Sequence, residues 1–271
     1  MKTLENQTLL YDEDCPLCSL YTTGFIKAGM LDQNGRKPYC NVSIEEQDFV
    51  DVKRAANEIA LIDYNTKTTT YGIDSLIKVI GFSFPWIEKI IATKPVYFLL
   101  RKLYSFVSYN RKVIIPAQAK KDKLECVPDF NFKYRFLFIL FAISVTTLVL
   151  FSYSNLIVNF PKSTITRELI LAFGQIVFQA LFLFKLDSKT IVNYAGNLMT
   201  VSLFGSLILS PVLILSQFIM LPQMMILGWF GATVLIMFLE HSRRIKILKL
   251  PFFLSFPWIL YRIIALFLIL N

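Results

Sequence analysis

The chain has 271 residues, of which 55% are hydrophobic and 17% charged, and its formal net charge is +9. Up to Lys133 there are 18 Lys and Arg against 16 Asp and Glu, whereas the 138 residues from Tyr134 onward contain 10 and 3. So little charge in the second half excludes a soluble enzyme over the whole chain and indicates a membrane-embedded half. The excess basic residues lie mostly at the ends of apolar runs, which is typical of contact with lipid head groups and not of nucleic-acid binding.

The composition changes near CVPDFNFKYR, residues 126–135, and this change predicts two domains. We predict a soluble α/β domain over residues 1–130 and an all-α transmembrane bundle over residues 131–271. The first residues lack the apolar segment of a signal peptide, so we expect the first domain to stay in the cytoplasm. The chain is then an integral, multi-pass membrane protein, which we expect in the inner membrane of a bacterium.

The first predicted elements surround a pair of cysteines. QTLLYDED, residues 7–14, predicts a strand that ends in an acidic turn, and CPLCSLYTTGFIKAGML has apolar residues at helical spacing. Pro16 suits the first helical position, because the N–H group that proline lacks would have no partner there. This places Cys15 at the helix N-terminus and Cys18 one turn later on the same face.

The chemistry of a C-x-x-C pair in a reducing compartment is typically redox or metal binding. The helix N-terminus stabilises a thiolate at Cys15, whereas the negative charges of Asp12, Glu13 and Asp14 raise its pKa. We predict that Cys15 attacks a substrate disulfide and that Cys18 resolves the mixed disulfide. No cofactor is expected for this chemistry.

A structural zinc site is the alternative for these thiols. It would take Cys15, Cys18, Cys40 and Cys126 as four ligands. Zinc ligands usually occur in close pairs, and the second pair is widely separated in the sequence, so this alternative is disfavoured and no metal is expected. Cys40 and Cys126 are instead predicted to be core or juxtamembrane thiols.

The remaining elements of the soluble half alternate between strands and helices. Residues 39–44 predict a second strand, residues 45–57 a polar helix, and residues 58–72 a hairpin. Residues 73–82 and 86–114 then predict helices. The resulting order β-α-β-α-β-β-α is typical of a thioredoxin-like domain.

These residues carry a resemblance to a known family. YDEDCPLC after a short strand resembles the opening of the DCC family of thiol-disulfide oxidoreductases, which is named for its Asp-Cys-x-x-Cys element. YGIDSLIKVIGF is similar to the family's Ser-containing helix, LYSFVSYNRKVI to its closing helix with an Asn-Arg pair, and ECVP to its Cys-x-x-Pro-like ending. The resemblance covers about residues 7–128.

The resemblance implies a thioredoxin-like fold and a dithiol/disulfide couple at Cys15 and Cys18. The other positions that match the family are Asp12, Asp14, Ser75, Asn110 and Arg111, with Pro16 inside the opening element. Two features depart from the family pattern: Glu13 stands where a small residue is common, and no proline precedes EIALI, where thioredoxins carry one beside the active site.

Five apolar runs follow in the second half, each near the ~20 residues that a spanning helix needs. They cover residues 136–158, 169–186, 191–215, 221–239 and 252–270. The second and fourth connections hold most of the basic residues, namely Lys185, Lys189, Arg243, Arg244, Lys246 and Lys249. Because basic connections stay in the cytoplasm, this bias predicts a cytoplasmic first domain and an external C-terminus.

The polar residues inside these runs allow few functions. Arg262 lies in the middle of the last run, which makes it a candidate functional residue, although a polar partner such as Gln175, Gln179, Asn193 or Asn197 is the simpler expectation. His241 is predicted to cap a helix end or to meet head groups. The second half contains no cysteine and a single histidine, which excludes a transmembrane thiol relay and a bis-histidine haem.

Two functions therefore remain open besides the zinc site. The first is a membrane-bound thiol-disulfide oxidoreductase whose partners are the lipid bilayer and an unknown protein or small-thiol redox partner. The second is a non-catalytic membrane assembly factor or transporter that uses the first domain for docking, because an anchor alone needs only one span.

Overall fold

The computed structural model describes residues 2–116, 126–158 and 160–270. The chain divides into two compact units, Met1–Tyr134 and Arg135–Asn271. The first unit contains a small mixed sheet with helices, and the second consists of helices in its described part.

The sheet of the first unit has four strands in the order β2-β1-β3-β4. They are β1 (Gln7–Tyr11), β2 (Arg36–Pro38), β3 (Ala60–Asp63) and β4 (Thr68–Tyr71). The first strand pairs in parallel with β2 and antiparallel with β3, and β3 and β4 form an antiparallel hairpin. The helix α1 connects the two parallel strands, which need a crossover of this kind.

Five α-helices lie entirely within the described residues of the first unit. They are α1 (Pro16–Lys27), α2 (Val52–Asn57), α3 (Ile73–Ser83), α4 (Pro85–Ile91) and α5 (Lys94–Ile114). The order of strands and helices predicted from the sequence is confirmed as far as α3.

Three predicted elements have different bounds in the structure. The second strand lies at Arg36–Pro38, and Tyr39–Asn41 instead forms a 3₁₀ turn in which the Tyr39 hydroxyl donates to the Val52 carbonyl. The polar helix predicted over residues 45–57 is interrupted because Val50 enters the core. The long helix predicted over residues 86–114 is divided at Thr93, since the next helix begins with a proline in its first turn.

Two apolar clusters cover the two faces of the sheet. Leu9 and Leu61 belong to one cluster, whereas Leu10, Ala60 and Ile62 belong to the other. Successive residues of a strand point to opposite faces, so the alternation in β1 and β3 separates the two cores. The cluster that contains Leu9 also packs α1 and α3 against the sheet.

The second unit is built from long apolar helices. They are α6 (Phe132–Ser154), which begins just before the unit boundary, α7 (Ile165–Ala180), α8 (Ser188–Leu215), α9 (Gln223–Ile247) and α10 (Ser255–Leu270). In the described residues, four helical segments are long and apolar enough to cross a membrane: Phe132–Ser154, Ser188–Leu215, Gln223–Ile247 and Phe252–Leu270. This supports contact with a lipid bilayer over the second unit.

The run predicted over residues 169–186 is not among these four segments. It folds as α7, with 16 residues from Ile165 to Ala180, beginning at Thr164, whose side chain accepts from the Arg167 N–H. At about 1.5 Å per residue such a helix is about 24 Å long, which is less than the ~30 Å hydrocarbon core. That this helix is a fifth span stays a prediction.

Candidate functional site

Cys15 lies at the turn between β1 and α1, and Cys18 lies in the first turn of α1. Cys15 is the residue before the helix, with φ −102° and ψ 106°, and Pro16 begins the helix. Asp12 organises this turn, because its carbonyl accepts from the Cys15 N–H at 3.1 Å and its carboxylate from the Asp14 N–H at 3.1 Å. The local sequence therefore places Cys15 at a helix N-terminus, as predicted.

The two thiols are chemically unequal. Both are reduced, and Cys15 is 0% exposed while Cys18 is 8% exposed. A hydrogen bond from the Cys18 thiol lowers the pKa of Cys15 to about 6, against the opposing effects of burial and of the Asp12 charge. The same hydrogen bond, together with burial, raises the pKa of Cys18 well above its ordinary range. These opposite shifts favour the thiolate form of Cys15 over that of Cys18.

Arg111 of α5 brings a positive charge to this turn. Its guanidinium is buried, with Nε 3.7 Å from Oδ2 of Asp12, and Lys112 Nζ lies 2.7 Å from the same oxygen. Nη2 of Arg111 donates to the Ala56 carbonyl at 2.7 Å and contacts Sγ of Cys126 at 3.3 Å. The charge of Arg111 also lowers the pKa of Cys15.

A cavity of about 270 Å³ opens beside these groups. Cys18, Arg111, Cys126 and Asp12 line it together with Tyr104. The rest of its wall is mainly apolar and includes Leu17, Ile59, Leu76, Leu100, Leu103 and Val107. Such a cavity suits an apolar group that is held next to a thiol and a cation.

Cys126 belongs to this site, which sequence reasoning missed by treating it as a core or juxtamembrane thiol. Burial raises its pKa to about 11, so it is a thiol at neutral pH. The similarity of ECVP to a family ending was the available signal. Cys40 is not among the residues that line the cavity. Its Sγ contacts Oε1 of Glu13, a residue of the same turn, at 3.6 Å.

The other predicted site residues of the first unit make structural contacts. The Ser75 hydroxyl donates to the Thr70 carbonyl at 2.6 Å, which joins β4 to the start of α3. Asn110 donates to the carbonyls of Phe106 and Tyr134 at 2.8 and 3.1 Å. The structure thus brings Asp12, Cys15, Cys18 and Arg111 together and gives Ser75 and Asn110 a supporting role.

The zinc alternative finds no geometric support. Cys40 faces a carboxylate and Cys126 faces a guanidinium, whose positive charge opposes a cation beside the same sulfur. Within residues 2–116, 126–158 and 160–270, no three His, Cys, Asp or Glu side chains are grouped so that they could hold a metal ion.

In the second unit, Arg262 and His241 have partners that the sequence did not indicate. The Arg262 guanidinium lies over the Trp258 ring at 3.9 Å from its centroid, and Asn197, one of its expected partners, accepts from Arg244 instead. The prediction that His241 caps a helix end or meets head groups is wrong. Its side chain is 2% exposed and is bonded to the Tyr194 hydroxyl at 3.0 Å, because it lies well inside α9.

Comparison of the chain with protein-family models, with curated proteins and with solved structures gave no match. The assignment of fold family and function therefore depends on the residues and contacts described above.

Proposed function

We propose that the chain is a membrane-bound thiol-disulfide oxidoreductase of the DCC type, with a thioredoxin-like first domain in the cytoplasm. The observation that carries the proposal is the unequal thiol pair at the start of α1. Cys15 is held as a thiolate by the thiol of Cys18, which is the arrangement that a nucleophile and its resolving thiol require.

The exchange needs no group beyond these thiols and a disulfide substrate. The Cys15 thiolate attacks one sulfur of the substrate disulfide, forms a mixed disulfide and releases the other sulfur as a thiolate. The thiol of Cys18 gives its proton to that thiolate, and the Cys18 sulfur attacks the Cys15 sulfur. This forms the Cys15–Cys18 disulfide and releases the second substrate sulfur as a thiolate, which takes a proton from water. The substrate gains two electrons, and two molecules of a small thiol such as glutathione return the pair to the reduced state.

The surroundings assign supporting roles to two charged residues. Arg111 stabilises negative charge on Cys15 and on Cys18, and therefore assists the second step, in which Cys18 must lose its proton. Asp12 keeps the turn in place through its two hydrogen bonds and positions Arg111 through an ion pair. The apolar wall of the cavity, which Cys18 also lines, favours substrates that present an apolar group beside the disulfide.

The test is redox equilibration of the full-length protein purified in a neutral detergent. The protein is equilibrated with defined ratios of reduced and oxidised glutathione, and the disulfide is located by mass spectrometry after acid trapping. We expect a reversible Cys15–Cys18 disulfide, which Cys15→Ser abolishes and the matched control Cys40→Ser preserves. A pair that stays reduced at every ratio would refute the proposal.

The complete burial of Cys15 favours the second candidate, a non-catalytic assembly factor or transporter with a docking domain. A substrate reaches this sulfur only when the residues that cover it move. The native protein would then resist alkylation of Cys15 on the timescale of exchange, and Cys15→Ser would leave its cellular role intact. Rapid modification of Cys15 in the native protein supports the oxidoreductase instead.

A further inference from the structure

A group of buried polar side chains joins four helices of the second unit. The Tyr194 hydroxyl of α8 lies 3.1 Å from Oε1 of Gln179 on α7 and 3.0 Å from Nε2 of His241 on α9. The His241 ring stacks on Trp258 of α10 at 5.4 Å, and the Arg262 guanidinium covers the Trp258 ring. These contacts join Gln179, Tyr194, His241, Trp258 and Arg262, and with Gln175, which lies one turn before Gln179, we call them the four-helix polar cluster.

Gln175 belongs to the cluster because it lies one turn before Gln179 on α7. This part of α7 packs against α10 beside Arg262, where Phe178 contacts Tyr261 at 5.5 Å between ring centroids. The Tyr261 hydroxyl in turn donates to the Leu171 carbonyl at 2.7 Å.

The cluster contains hydrogen-bonding atoms that the described protein residues leave without partners. They are Nε2 of Gln175 and of Gln179, Nε1 of Trp258, Nδ1 of His241, and Nε and Nη2 of Arg262. Gln179 is 0% exposed and Trp258 is 1% exposed, so bulk water does not satisfy these groups. Buried polar groups in folded proteins nearly always have a partner, and all of these atoms except Nδ1 of His241 are donors. The missing partner is therefore a hydrogen-bond acceptor.

The charge of Arg262 identifies the kind of acceptor. Residues 135–271 contain three acidic side chains, and each of them has a partner outside the cluster. Glu168 pairs with Arg167, Glu240 pairs with Arg243 and Arg244, and Asp187 begins α8 by accepting from Thr190. Because a buried cation requires a compensating charge, an anion fits this cluster better than a neutral carbonyl does.

The depth of the cluster indicates from which side the anion enters. Tyr194 lies six residues after the start of α8, His241 six residues before the end of α9, and Arg262 seven residues after the start of α10. At ~1.5 Å per residue these positions are about 10 Å inside the helix ends. The connections and helix ends on this side carry Lys185, Lys189 and Lys246, which attract anionic head groups, whereas Arg243 is ion-paired with Glu240.

We propose that the four-helix polar cluster binds an oxyanion, the carboxylate or phosphate of an anionic amphiphile that enters from the basic end of the helices. A small soluble carboxylate or phosphate offers the same chemistry, and the test separates the two sources. The guanidinium of Arg262 neutralises the anion, and the amides of Gln175 and Gln179 with the indole N–H of Trp258 donate to its oxygens. This binding is independent of the thiol pair in the first unit.

The experiment uses Trp258 as the reporter, in the full-length protein with Trp86→Phe and Trp229→Phe, purified in dodecyl maltoside. Its emission is titrated with oleate, phosphatidylglycerol and inorganic phosphate, and with oleyl alcohol as the uncharged match for oleate. We expect a saturable change with oleate or phosphatidylglycerol and none with oleyl alcohol. Saturation by inorganic phosphate alone supports the oxyanion site and assigns it to a soluble anion.

Two Arg→Gln variants complete the test. Arg262→Gln is expected to weaken oleate binding by about tenfold or more, whereas Arg243→Gln, which removes an exposed charge from α9, leaves it within about twofold. If Arg262→Gln does not fold, Arg262→Lys, which retains the charge, is titrated with oleate in its place. The proposal is overturned if no anion gives saturable binding, if oleyl alcohol binds as tightly as oleate, or if both Arg→Gln variants lose affinity equally.

Discussion

At Cys15, the largest cause of the lowered pKa is a hydrogen bond from the Cys18 side chain, to which the Cys18 backbone N–H adds a second. Because the thiol of Cys18 donates the first of these bonds, Cys18→Ala should raise the pKa of Cys15 towards the ordinary range, whereas Cys18→Ser keeps a donor and should leave it near 6. The measurement is the ultraviolet absorbance of the thiolate against pH, which requires no access to the buried sulfur. Equal midpoints in the two variants would mean that the helix N-terminus, and not Cys18, sets the pKa.

The same pKa shift makes stability depend on pH. Cys15 ionises near pH 6 in the folded chain and near 9 when unfolded, so the unfolded state binds more protons between these values. The free energy of unfolding should therefore rise with pH over this window, by up to about 1.4 kcal/mol per unit, and this contribution is lost as pH falls through 6. Thermal unfolding of the full chain in detergent at a series of pH values measures the slope. Cys15→Ser should flatten it, and Cys40→Ser should not.

Arg111 is the residue on which the turn depends most. Replacing it by Met removes its hydrogen bond to the Ala56 carbonyl and leaves the Asn57 carbonyl with the Ser108 hydroxyl as its remaining side-chain donor. It also leaves the buried Asp12 with Lys112 as its remaining cation. We expect Arg111→Met to lower the free energy of unfolding by about 3–5 kcal/mol, as is usual when one partner of a buried ion pair is removed.

Lys112→Met is the matched control for this prediction. Lys112 pairs with the same carboxylate but is about a quarter exposed, so its loss should cost no more than about 1 kcal/mol. Denaturant unfolding followed by fluorescence compares the two variants. Similar losses of unfolding free energy in the two variants would show that pairing of the Asp12 charge contributes more to stability than the hydrogen bonds of Arg111 do.

At the scale of elements, the start of α3 depends on a glycine. Gly72 has φ +66°, and a Cβ there would lie 2.7 Å from Oε2 of Glu58. We expect Gly72→Ala to destabilise the first unit by about 1–3 kcal/mol through backbone strain. Gly24→Ala inside α1 is the control, because no atom lies within 4 Å of its Cβ and alanine favours helix by about 1 kcal/mol. Opposite signs in thermal unfolding are the expected result.

An element of this fold was predictable from sequence when local residues determine it, and was not when a tertiary contact does. The strand β1 and the start of α1 were predictable, because alternation and Pro16 are local signals. The displaced second strand was not, since a tertiary contact of Tyr39 with Val52 holds the following residues in a turn. Arg111 was indicated by the family resemblance alone, and Cys126 was not placed in the site, because both contact it across many residues of chain and periodicity does not reveal such contacts.

At the scale of the whole molecule, the second unit is more polar inside than its composition indicates. Tyr194 and His241 are buried in α8 and α9, whereas many large apolar residues of the same unit are exposed, among them Leu207, Ile214, Leu235 and Leu239. Exposed apolar side chains fit contact with lipid, and buried polar ones mark a site between helices. Hydropathy located the long helices but could not show which polar residues face one another.

Because α7 is short, the membrane topology of the second unit depends on whether this helix crosses the bilayer. If the first unit is cytoplasmic, as proposed, and α7 spans the bilayer with the four longer segments, the connection at Asp187 is cytoplasmic and the C-terminus is external. Fusions of green fluorescent protein and alkaline phosphatase after Asp187, after Met220 and at the C-terminus measure this. We expect fluorescence after Asp187 and phosphatase activity at the other two positions. Phosphatase activity after Asp187 would mean that α7 does not cross, and every later connection would then change sides.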